Sequence, residues 1–154
     1  SLAPFIFKEY HYSSYAFGYS SLILAGGTFA GAKLNRFLLL RNIQPKYLVK
    51  ASILTAFIAS IFVWILIGTG IYFLIPYFFI VMAFSTAIPN ILSTVLINYK
   101  NETGSAGALL GLIYYILIGS GLISIGFIQN LGVSCVLFSG IGIGTLFLFE
   151  DKKN

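Results

Sequence analysis

Met82, Thr86, Pro89 and Asn90 fall in one long uncharged stretch. At about 100° per residue, Phe79, Met82, Thr86, Pro89, Asn90 and Ser93 share one side of a helix. Phe84, Ile88, Ile91 and Val95 share the other side, which is expected to face lipid. The Asn90 amide supplies donors and an acceptor, so in hydrocarbon it must be paired or hydrated. Two roles fit it: a hydrogen bond to another helix, or a polar group lining a substrate path. Pro89 removes a backbone donor and predicts a kink. The carbonyl it frees needs neighbours or water, so this region is expected inside protein. Tyr114 sits at the edge of a glycine-bearing stripe in the following apolar stretch. Met82, Thr86, Asn90 and Tyr114 are therefore the candidate lining of a substrate cavity.

Other chemistry has little to build on. His11 is the only histidine and is read as a polar loop residue. Cys135 is the only cysteine, which excludes an internal disulfide and a cysteine-based zinc cluster. No charged residue lies well inside a complete apolar stretch, so the chain carries no proton relay of its own. It has no nucleophile beside a base and no phosphate loop. The glycines do not follow strands and make no nucleotide fingerprint. The expectation is no enzyme, no cofactor and no metal. A net charge of +5 could suggest nucleic acid, but no basic face with interleaved aromatics accompanies it.

The elements that position these residues are membrane helices. The 154 residues are 58% hydrophobic and 8% charged, against about one-quarter charged in a soluble domain. Mean hydropathy is +0.96. A crossing helix needs about 20 mostly apolar residues. Five complete spans are expected, near 15–32, 48–67, 71–98, 104–127 and 131–149. Residues 1–7 read as the end of a truncated span whose beginning is absent. No signal peptide is expected, and the start at Ser1 points to a processed chain or a piece of a longer one. Gly68-Thr-Gly70 and Gln129-Asn130 are the expected turns, with Trp64 and Tyr72 as interface aromatics. Ser20, Gly27 and Gly31 share a face, and Gly27 and Gly31 form a G-x-x-x-G that lets helix backbones approach closely. Ser52, Thr55, Ala56, Ala59 and Val63 form a second small-residue stripe. Gly104, Gly107 and Gly111 form a third, and they too are expected against another helix.

The basic residues set the orientation. Lys33, Arg36, Arg41, Lys46, Lys50, Lys100, Lys152 and Lys153 fall on one side of the expected topology and only Lys8 on the other. The rule that basic loops stay inside puts the first group, and the C-terminus, in the cytoplasm.

Pro89-Asn90 in one span, followed by Gly104-Ser-Ala-Gly-Ala-Leu-Leu-Gly111 opening the next, resembles the Bcr/CflA family of bacterial drug:proton antiporters. This is the bicyclomycin-resistance branch of the major facilitator superfamily. Gly107 stands where that family usually has serine. Ala3-Pro4-Phe5 is similar to the family's Ser-Pro-Phe at the end of helix seven, and Phe17-Gly18 to the start of helix eight. Gly31-Ala-Lys-Leu-Asn35-Arg36, with Arg41, resembles the degenerate basic loop between helices eight and nine. The resemblance covers nearly the whole chain, as the C-terminal half of a twelve-helix protein. It implies an all-α, multi-pass fold: the C-terminal six-helix bundle of the major facilitator fold, lacking most of helix seven. It also implies a partial multidrug efflux transporter in a bacterial inner membrane, exporting amphipathic small molecules. An N-terminal half would pack against this one and hold the acidic residues for proton coupling. The alternatives are a degenerate or non-transporting membrane interaction protein, or a facilitator carrier for a metabolite.

Overall fold

The computed structural model describes residues 14–99 and 103–151. The expected stub at 1–7, Ala3-Pro4-Phe5, Lys8, His11, the charged break at 100–102 and the residues beyond 151 lie outside that range. Five α-helices follow one another: α1 (Ser14–Leu40), α2 (Pro45–Leu66), α3 (Leu74–Leu96), α4 (Thr103–Ile128) and α5 (Leu131–Asp151). Short 3-10 segments, Ile67–Phe73 and Ile97–Tyr99, follow α2 and α3. The described residues contain no strand.

Three apolar segments are long enough to cross a membrane: Pro45–Thr69, Ile71–Leu96 and Gly104–Ile128. They match three of the five expected spans. The apolar part of α5, Leu131–Leu146, is shorter. Large hydrophobic side chains stay exposed over much of the surface, among them Phe62, Ile65, Ile75, Leu117 and Phe127. In a membrane protein such positions meet lipid, while small residues let the helices approach closely.

α1 departs from expectation. It does not end near 32 but continues as helix to Leu40. No Gly or Pro interrupts residues 32–40, and Leu34, Leu38, Leu39 and Leu40 are good helix formers. The connection to α2 is therefore only 41–44. It begins with a Schellman closure: Asn42 N–H donates to Leu39 O at 3.0 Å and Ile43 N–H to Leu38 O at 3.3 Å. Asn42 takes the left-handed conformation this needs, with φ 60°. Gln44, held extended before Pro45 (ψ 138°), starts α2 with proline in its first turn. The expected turn at Gly68-Thr-Gly70 is a 3-10 segment, flanked by exposed Trp64 and Tyr72. α4 ends at Gln129, φ 49°, whose N–H donates to Ile125 O at 3.0 Å. Asn130 then caps α5 by accepting from Val133 N–H at 3.1 Å.

The helices pack in the order α1, α3, α2, α5, with α4 touching the group only lightly. At the α1–α3 seam a Cβ on Gly27 would lie 3.0 Å from Phe78 O. One on Gly31 would collide with Met82 O and stand 2.9 Å from Ser85 Cβ. The first G-x-x-x-G is thus a close helix crossing. Ala59, Val63 and Ile80 form the α2–α3 core, with Tyr77 and Cys135 packed against it. The expected stripe on α2 is buried at Ser52, Ala56, Ala59 and Val63. α5 meets α2 through Gly132, where a Cβ would come within 2.8 Å of Trp64 Cα.

Candidate functional site

The polar side of α3 lies in the α1–α3 seam. Asn90 is 2% exposed and Thr86 is equally enclosed. Asn90 Nδ2 donates to Asn35 Oδ1 on α1 at 2.7 Å and to Thr86 O at 2.7 Å. Thr86 Oγ1 donates to Gly31 O at 3.2 Å and to Met82 O at 3.0 Å. Ser85 Oγ donates to Thr28 O at 2.8 Å. Asn90 O in turn accepts from Ser93 Oγ at 3.0 Å and Thr94 Oγ1 at 2.7 Å. Three of these bonds, from Ser85, Thr86 and Asn90, join α3 to α1 over about two turns, and the others lie within α3. No described side-chain polar atom is buried without a partner.

Of the two roles open to Asn90, this arrangement shows the hydrogen bond to another helix, and Asn90 lines no drug-sized cavity among the described residues. Its Nδ2 donates once to the other helix, at Asn35, and once to its own, at Thr86 O. The reading of Asn35 is corrected: expected in an exposed basic loop, it is buried on α1. The cause is the continuation of α1 past Gly31. Asn35 stands one turn beyond Gly31, as Asn90 stands one turn beyond Thr86, so the two amides meet where the backbones approach. Arg36 lies on the same helix but is exposed, and Arg41 alone of the three is in the connection. The 27, 31, 35 spacing carried the signal for Asn35 as an inward residue.

Pro89 was expected inside protein; it is exposed. Asn90 and Thr86 turn toward α1, which puts Pro89 on the outer face of α3, where its missing N–H leaves the helix unbroken. Phe79 is also exposed, so the inward face of α3 is Ile80, Ala83, Thr86, Ala87 and Asn90. Met82 is half-buried and, with Thr86, borders a crevice of about 90 Å³. Ligand pockets run from about 300 Å³ upward, so this one is too small for a drug-sized molecule.

Tyr114 lies elsewhere. It is 44% exposed on α4 and borders an open groove of about 430 Å³ with Leu117, Ile118, Leu122 and Phe138. Its ring stands edge-on to Tyr115 with centroids 6.0 Å apart. Met82, Thr86, Asn90 and Tyr114 therefore do not converge on one cavity. A larger groove, about 580 Å³, opens between α2 and α3 beside Thr55, Phe62, Tyr72 and Phe79, residues not expected to border a cavity.

The third glycine stripe is also corrected. A Cβ on Gly104, Gly107 or Gly111 would meet nothing within 4 Å among the described residues. None of the described residues from Gly104 to Ile128 is buried. The stripe has the composition of a helix contact, but none of the described helices lies on it. Among the described residues no group of three His, Cys, Asp or Glu side chains comes together to hold a metal.

The chain matches no family model, no curated protein and no solved structure.

Proposed function

We propose that the chain forms part of a membrane transporter for amphipathic small molecules, with the path running along the open face of α4. The observation behind this reading is the state of α4: a 26-residue apolar helix whose glycine face is unfilled. Close-packing faces of this kind join helices. A second bundle across that face would enclose the Tyr114 groove and turn it into a cavity of few polar groups, the kind that suits amphipathic compounds. The resemblance to the drug:proton antiporters supports the same arrangement. On this reading the second bundle is an N-terminal half in the same bacterial inner membrane. It supplies the acid for proton coupling, and the C-terminus is cytoplasmic.

A second reading is a membrane interaction protein that transports nothing. The same open face favours it, because helix docking alone would also fill the stripe.

Dye efflux from cells lacking their own pumps separates the two. The full-length protein carrying this chain should lower accumulation of an amphipathic fluorescent dye. Tyr114→Ala should change the rate or the range of dyes without lowering the amount of protein in the membrane. Efflux that is absent at normal protein levels would leave the interaction reading in place.

A further inference from the structure

We propose that the cations gathered at the α1–α2 end of the bundle bind the phosphate headgroup of an anionic phospholipid. Lys33 and Arg36 lie on the last two turns of α1, Arg41 in the connection and Lys46 in the first turn of α2, all exposed. Lys50 follows one turn later, half-buried. No acidic residue occurs between Glu9 and Glu102 in the sequence. Basic clusters immediately beside membrane helices attract anionic lipid, at a strength that grows with each added cation.

The aromatic residues set the depth. Lys33 Nζ stands over the Phe29 ring at 4.8 Å, the Arg41 guanidinium over Phe37 at 4.4 Å and Lys46 Nζ over Tyr47 at 4.9 Å. The three rings are themselves exposed. Rings at that level belong to the membrane–water interface, where headgroups lie. A ring face engages the cation's charge but offers no oxygen acceptor to its N–H donors. The N–H donors of Arg41 and the ammonium groups can still turn to phosphate oxygens.

The same end of the bundle also has an apolar slot. The crevice of about 90 Å³ is bordered there by Leu34, Leu38, Leu48 and Ala51. These residues alternate with the cations along α1 and α2. The slot has room for the first few carbons of an acyl chain, with its headgroup on the collar above. That combination selects a lipid over a free anion, which would leave the slot empty.

Native mass spectrometry of the purified full chain in neutral detergent tests this. Phosphatidylglycerol and phosphatidylcholine with identical acyl chains are added at equal concentration. The anionic lipid should be retained about tenfold or more over the zwitterionic one. Arg41→Gln, in the exposed connection, should weaken that retention roughly fivefold, and Arg41→Lys should preserve it. Removing Lys33, Arg36, Arg41 and Lys46 together, each to Gln, should erase the preference. If that variant does not fold, Arg41→Gln alone still decides. Equal retention of the two lipids, or an undiminished preference in Arg41→Gln, overturns the proposal. So does displacement of the lipid by millimolar inorganic phosphate, which would mark a site for a free anion. None of these outcomes depends on whether the chain transports anything.

Discussion

At the scale of single residues the α1–α3 seam joins two kinds of contact that reinforce each other. Gly27 and Gly31 let the backbones close, and closure brings Asn35 and Asn90 within 2.7 Å. Loss of either amide leaves the other buried beside a helix with one bond fewer. An Asn35→Ala/Asn90→Ala double-mutant cycle, read by reversible unfolding in detergent, should show favourable coupling on the order of 0.6–2 kcal/mol. Additive single effects would mean that the amides do not rely on each other. Gly31→Ala should cost about 1–3 kcal/mol in the same assay, because its methyl group meets the Met82 carbonyl. The sequence placed Asn90 between two roles, and only the position of Asn35 decides between them. The 27, 31, 35 spacing points to that position, but Lys33 and Arg36 flank it and mask the signal. Charges on either side read as a loop, whereas on a helix they can point outward while Asn35 points in.

At the scale of elements the two G-x-x-x-G motifs have opposite surroundings. Gly27 and Gly31 are covered by α3, and Gly107 and Gly111 by nothing in the described chain. Gly111→Leu should therefore leave the unfolding temperature of the purified chain within about two degrees, since a new exposed side chain there changes stability by roughly 0.5 kcal/mol or less. Gly31→Leu should abolish the folded state in the same measurement. If Gly111→Leu were as damaging, α4 would have to be packed along its glycine face. The number and order of helices was legible from apolar length and charged breaks, since both follow from what a bilayer excludes. Which glycine face finds a partner was not, since composition records the capacity for close packing and not the neighbour. Helix ends were legible at the Gln129-Asn130 turn, where Gln129 takes the left-handed conformation, and illegible at 32–40, where charge alone reads as a stop.

At the scale of the whole molecule the basic residues of α1 and α2 gather at one end and the exposed Trp64 and Tyr72 at the other. By the rule that basic loops stay inside, the basic end is expected in the cytoplasm, and labelling tests it. With Cys135 replaced by serine, Gln44→Cys in the exposed connection should react with an impermeant maleimide only after the cytoplasmic side is opened. Labelling in intact cells would reverse the orientation. Gln44 suits the test because its side chain makes no capping bond to α2. The extension of α1 to Leu40 carries a further consequence. Its 27 residues reach about 40 Å at 1.5 Å each, whereas the hydrocarbon layer is about 30 Å thick. The surplus is the last two turns, which carry the exposed Lys33 and Arg36 and so belong with headgroups and water rather than hydrocarbon. α1 cannot lean alone, because the glycine crossing and the Asn35–Asn90 bond clamp it to α3. Any tilt of one helix is therefore carried by both, and the basic end of α1 moves with the polar face of α3.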